Sequence, residues 1–208
     1  MPKEFTKYFD NRVVWVTGAS SGIGESLSKL LAKAGAKLII SSHEPEELER
    51  VRTEIGNSKH EVYVLPFNLS GQASVEKAAG EALNKFGKVD IFFTNGGVST
   101  RVTAMETSIE IDRRVMEINY FSGMIITKMI LPAMVEQGFG HIIATSSISG
   151  KFGFPLRSAY AASKHALHGF YESLWMELHD KGIRTTLVCP GRVKTKISLH
   201  ALGKDGKE

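Results

Sequence analysis

The sequence predicts a doubly wound α/β domain, a parallel sheet covered by helices on both faces in three layers. Three observations carry this. Short runs rich in valine and isoleucine alternate with longer runs of helical periodicity along the whole chain. Those short runs are near-continuously apolar, as strands buried on both faces must be. The first of them enters a glycine-rich turn that opens a helix, the start of a βαβ unit.

Six strands are expected at residues 12–17, 37–42, 62–66, 89–94, 141–146 and 184–189. Five helices are expected between them, at residues 22–34, 45–55, 72–86, 108–137 and 158–180. Pro132 falls late in the fourth helix and is expected to kink or end it. Residues 203–208, polar and glycine-rich, are expected to fray. With 208 residues, no repeat and no linker, residues 1–208 are read as a single domain.

Composition narrows the function classes. A 42% hydrophobic and 23% charged chain is that of an ordinary globular protein. The apolar stretch 125–134 is short and carries Lys128, so no membrane span is expected. The first ten residues mix charge with aromatics, unlike a signal peptide. A single cysteine, Cys189, excludes an internal disulfide and suits a reducing, cytoplasmic setting. The formal charge of +4 is scattered, so nucleic acid is not an expected partner. His165 and His168 lie close on one helix without an HExxH or Cys/His cluster, so no metal is expected.

Thr17-Gly18-Ala-Ser20-Ser21-Gly22-Ile23-Gly24 follows the first strand directly. Its glycine spacing differs from the standard fingerprint, but the physical logic carries over. Gly18 permits a tight turn, Gly22 lets backbone approach a phosphate, and Gly24 lets helix and strand pack closely. The helix N-terminus then offers unpaired N–H groups to a pyrophosphate. The second strand ends Ser41-Ser42-His43, without the acidic residue that would hold a ribose 2′-hydroxyl. That leans toward NADP over NAD, with Ser41, Ser42 and His43 as donors to a 2′-phosphate, although Glu44 follows at once. Asn95-Gly96-Gly97 ends the fourth strand, where Asn95 either lines the ligand crevice or ties strands together. Asn119 sits inside a helical run, where asparagine is intrinsically unfavourable, as a satisfied side chain or as a site residue.

Tyr160 and Lys164, four apart, share a helix face. A free tyrosine, with a pKa of about 10, is a poor base at neutral pH. An ammonium about 4.5 Å away, at an effective dielectric of about 20, favours the phenolate by roughly 4 kcal/mol. A shift of nearly three units, about 4 kcal/mol, would bring the phenol into the range of a general acid/base. Ser147 stands at the carboxyl end of the fifth strand, and Phe152, Phe154, Pro155 and Leu156 form an apolar loop before Tyr160. That loop suits either a substrate pocket or a partner-facing surface. Pro190-Gly191 forces the chain to turn after the sixth strand, so Thr195 swings back toward the crevice.

With these motifs in this order, residues 12–198 resemble the short-chain dehydrogenase/reductase family of Rossmann-fold oxidoreductases. The resemblance implies hydride transfer between NADP(H) and a carbonyl or secondary alcohol, with Tyr160 as acid/base. Lys164 would lower its pKa and bind the nicotinamide ribose, Ser147 would polarise the carbonyl, and Asn119 would hold a relay water. It also implies cofactor contacts from Gly18, Ser20, Ser21, Gly22, Ile23, Gly24, Ser42, His43, Leu69, Asn95, Gly96, Gly97, Pro190, Gly191, Val193 and Thr195. Asn68 replaces the usual aspartate near the adenine, with an amide oxygen as acceptor. The resemblance further implies a hydrophobic small-molecule substrate and a homodimer or homotetramer. Family members continue past Thr195 through a substrate-covering region and a seventh strand, which this sequence lacks. A non-catalytic dinucleotide sensor is the alternative, separated by whether turnover depends on Tyr160.

Overall fold

A computed structural model of the chain describes residues 2–193, Thr195, Ile197 and 201–206. Strands β1 (Val13–Thr17), β2 (Lys37–Ser41), β3 (Val62–Val64), β4 (Ile91–Thr94), β5 (Gly140–Thr145) and β6 (Ile183–Val188) form one sheet. Its order is β3-β2-β1-β4-β5-β6, and every neighbouring pair is parallel. The chain moves outward from β1 to β3, then crosses back to place β4 on the other side of β1. The crevice where the winding reverses therefore opens beyond the carboxyl ends of β1 and β4.

The pleat explains the continuous apolar runs. Along β1, Val13 and Trp15 enter one core while Val14 and Val16 enter the other. In β4, Phe92 joins the first core, with Ile91 and Phe93 in the second. Helices α4 (Gln72–Phe86), α6 (Ser122–Glu136) and α7 (Ser158–Leu178) cover the first face. Helices α1 (Lys3–Phe9), α2 (Gly22–Lys33) and α3 (Pro45–Ile55) cover the second.

Three features depart from the sequence reading, and one of the two expectations for Pro132 falls away. The N-terminal helix α1 was not foreseen; its Phe9 reaches 6.5 Å from the Phe93 ring, and the Tyr8 hydroxyl lies 2.8 Å from His141 Nδ1. The helix expected over 108–137 is interrupted: α5 (Ile109–Met116) passes into a π turn at Glu117–Phe121 before α6. Pro132 does not end α6, which continues to Glu136. The tail does not fray through Gly206. Leu202 is fully buried against Ile111, Val115 and Ala159, and Arg114 Nη1 donates to Gly206 O at 2.9 Å.

By length and composition, Ile109–Glu136 could cross a bilayer. Here Ile126, Ile130 and Met134 face the sheet within the first core.

Candidate active site

The glycine-rich turn is shaped by what surrounds it. Gly18 adopts φ +64°, and a Cβ there would lie 2.7 Å from Gly96 Cα. A Cβ on Gly24 would collide with Gly18 O, so the helix start can sit against the turn only without a side chain. Helix α2 begins at Gly22, and Ser21 at its N-cap makes no side-chain capping bond. The first N–H groups of Gly22, Ile23 and Gly24 thus stand at a polarised helix end. Thr195 returns to this turn, its methyl 3.1 Å from where a Gly22 Cβ would be.

The Thr17 hydroxyl accepts from Asn95 N at 3.0 Å and Gly96 N at 3.2 Å, pinning β4 to β1. The Asn95 amide donates to Thr17 O at 3.1 Å, and its oxygen accepts from Thr145 Oγ1 at 3.2 Å. The open question about Asn95 is answered in part: its side chain ties β1, β4 and β5 together at the mouth of the crevice. Gly96 sits beneath Leu69, and Gly97 abuts Asn119 Oδ1 and Lys164 Nζ.

At the end of β2 the structure corrects one expectation and limits another. Ser41 is fully buried, and its hydroxyl accepts from Trp15 Nε1 at 2.9 Å, so it faces the core and not a phosphate. The Ser42 hydroxyl is held by Glu44 N at 3.0 Å. His43 is exposed. The Glu44 carboxylate accepts from Ser20 Oγ at 2.7 Å, placing negative charge on the glycine-rich turn. The Asn68 oxygen, expected to face an adenine, accepts from Ser70 N at 2.9 Å and Ser70 Oγ at 2.8 Å, a local Asx turn.

Ser147, Tyr160 and Lys164 come together at the carboxyl edge of β5. Helix α7 presents Tyr160 and Lys164 from successive turns, with Lys164 Nζ 5.7 Å from the Tyr160 ring centroid. The Ser147 side chain acts on the Tyr160 phenol, and its own oxygen accepts from Ser149 N at 3.1 Å. Lys164 is 3% exposed, and its ammonium donates to Thr145 O at 2.8 Å. Burial holds the Lys164 ammonium down to about 8. Burial raises the Tyr160 phenol above its ordinary value, opposed by the Ser147 hydrogen bond and the Arg157 charge. The depression expected from Lys164 is therefore absent in the chain by itself. Desolvation of the phenolate outweighs a neighbour whose own charge is weakened by burial and whose proton faces a carbonyl.

Asn119 occupies the π turn, where such local widenings commonly mark functional sites. Its oxygen accepts from Val98 N at 2.8 Å, and its amide donates to Val98 O and Ser163 Oγ, both at 2.9 Å. These bonds clip the loop after β4 to helix α7, one residue from Lys164. Phe152, Phe154 and Leu156 are exposed in the loop that precedes α7, the two rings 5.5 Å apart. Pro190 O accepts from Ile148 N at 3.4 Å, while Gly191 and Val193 are exposed.

Sequence reasoning missed the tail. Leu202 N donates to Ser99 O and Leu202 O accepts from Arg101 N, strapping residues 201–206 across the loop after β4. Its signal in the sequence was Leu202, the last apolar side chain before the polar, glycine-rich residues 203–208.

Comparison with known proteins agrees with this geometry. The family model for short chain dehydrogenase matches residues 12–203. The chain is 42% identical over 203 residues to mouse dehydrogenase/reductase SDR family member 7B, covering 96% of this chain and 63% of that relative's length. Among solved structures it resembles a short chain dehydrogenase/reductase from Burkholderia phymatum in complex with NAD. That likeness has TM-score 0.85 and 31% identity, over 91% of this chain and 69% of the other. A metagenomic short-chain oxidoreductase in complex with NADP aligns with TM-score 0.84 and 29% identity, over 88% and 84%. A six-stranded parallel sheet wound about β1 and β4, matched in sequence across nearly its whole length, places this chain in the short-chain dehydrogenase/reductase family.

Proposed function

We propose that the chain is the catalytic part of an NADP(H)-dependent oxidoreductase acting on a hydrophobic carbonyl compound or secondary alcohol. The observation that carries this is the placing of Tyr160 and Lys164 on successive turns of α7, with Lys164 Nζ 5.7 Å from the Tyr160 ring and bonded to Thr145 O, at the ligand-binding edge of the sheet beside Ser147. The residues present fit a dinucleotide. The turn at Gly18 is lined by bare backbone, and the start of α2 is left without a side-chain cap. Gly18, Ser20, Ser21, Gly22, Ile23 and Gly24 would hold the pyrophosphate, and His43 with Ser42 a 2′-phosphate. Bound nicotinamide supplies the hydride.

In the reductive direction, Tyr160 donates the proton to the carbonyl oxygen. Its raised pKa keeps that proton in place at neutral pH. Ser147 turns its hydroxyl to the same oxygen as negative charge develops. Lys164 holds a proton behind the phenol and resupplies it. Asn119, its amide engaged with Val98 and Ser163, positions that end of α7. The exposed Phe152, Phe154 and Leu156 give the substrate an apolar wall. Exposed Trp175 and Met176 on α7 support pairing of copies through that helix.

Tyr160→Phe removes only the transferable proton. Turnover with NADPH and a panel of hydrophobic ketones should fall by about 10²-fold or more. NADPH binding, followed by nicotinamide fluorescence, should persist. Undiminished turnover would overturn the mechanism.

A further inference from the structure

We propose that Cys189 is a covalent modification site, a thiol assisted by His168 and Glu172 that adds to α,β-unsaturated carbonyl compounds. The proposal stands independently of the hydride-transfer reading. His168 lies one turn beyond Lys164 on α7, 8% exposed, at the centre of a polar cluster that the proposed mechanism does not use. Its Nε2 is 3.7 Å from Cys189 Sγ and 3.1 Å from Ser146 Oγ. Its Nδ1 is 3.1 Å from Glu172 Oε1 and 3.2 Å from Lys151 Nζ. Four elements meet there: the end of β5 with Ser146, the short helical turn Ile148–Gly150 leading to Lys151, α7, and the end of β6 with Cys189.

The order of groups is nucleophile, base and orienting carboxylate. Nδ1 cannot serve both of its neighbours in one tautomer, because an ammonium only donates and a carboxylate only accepts. With Nδ1–H donated to Glu172, Nε2 carries a lone pair toward the thiol. With Lys151 donating to Nδ1, Nε2–H points at the sulfur instead. The first arrangement is the reactive one, and Glu172 selects it. Ser146 shares Nε2 but is 2% exposed, and its hydroxyl also lies 3.4 Å from Lys164 O as a donor, so no external molecule reaches it. Cys189 is half-buried just past β6, the more accessible nucleophile of the two.

The step balances without an oxidant. The Cys189 S–C bond forms at the β-carbon while His168 Nε2 takes the thiol proton. The electron pair of the C=C bond moves to the α-carbon, which then takes that proton back. Nothing leaves, and nothing is oxidised or reduced.

The test uses N-ethylmaleimide on the whole chain, followed by intact mass, which reads Cys189 alone because the chain has one cysteine. Folded protein at pH 7 should react at least about tenfold faster than the same chain unfolded in urea. Glu172→Gln should slow the folded rate several-fold, and His168→Gln more strongly; Cys189→Ser should take no adduct. Glu172 is exposed, so its variant decides the matter even where His168→Gln fails to fold. A folded rate at or below the unfolded one, or one unchanged in Glu172→Gln, would overturn the proposal.

Discussion

Tyr160 and Lys164 illustrate how burial and charge compete at one pair of side chains. Proximity favours the phenolate, while the dry surroundings that bring the two together disfavour both charged forms. In this chain burial dominates, raising the phenol and lowering the ammonium to about 8. At the other end of the crevice the charge that matters is that of Glu44. Its carboxylate accepts from Ser20 and its N–H donates to Ser42, next to the residues proposed to hold a 2′-phosphate. A single negative charge about 5 Å from a dianion in solvent-like surroundings costs about 1.5 kcal/mol. Glu44→Gln should therefore shift the ratio of NADPH to NADH affinity toward NADPH by about tenfold. Parallel fluorescence titrations of the two cofactors would show it; an unchanged ratio would place Glu44 away from the phosphate.

The π turn Glu117–Phe121 is the element whose form follows from one side chain. An asparagine inside an α-helix competes with the backbone, and here the helix widens where Asn119 turns its amide outward to Val98 and Ser163. Alanine at 119 would leave the Val98 N–H without its side-chain acceptor in a half-buried setting. The expected cost is about 1–3 kcal/mol. Urea unfolding with an unchanged m-value would report it, and a midpoint equal to the parent's would show those bonds replaceable. Asn119 was visible in the sequence as an anomaly, yet its partner was not. Val98 is 21 residues away and Ser163 is 44, and no local pattern encodes either. Helices α3 and α4, by contrast, were legible to the residue, because Pro45 opens one and Gly87, in the left-handed region, closes the other.

Over the whole molecule, the tail 201–206 is held by the two backbone bonds of Leu202, by its buried side chain and by the Arg114 bond to Gly206 O. Truncating a buried leucine to alanine costs about 2–5 kcal/mol where the fold must absorb it. A terminal segment can instead detach, so Leu202→Ala should release the strap and spare the sheet. Hydrogen exchange should show the Arg101 amide losing protection while those of β1 and β4 keep theirs. Equal loss in both would make the tail part of the cooperative core.

What the sequence determined by itself was whatever repeats locally or follows from burial on both faces. The six apolar strands, the helices between them, the glycine turn and the Tyr160–Lys164 spacing belong to this group, because a 3.6-residue or two-sided pattern is written in neighbouring residues. Tertiary structure alone decided that Ser41 turns to Trp15 and not to a ligand, and that Asn95 ties three strands together. It alone placed Glu44 on Ser20 and gathered Cys189 around His168. Each depends on a partner brought close by the winding of the sheet, and a side chain's direction and protonation are set by that partner and its desolvation.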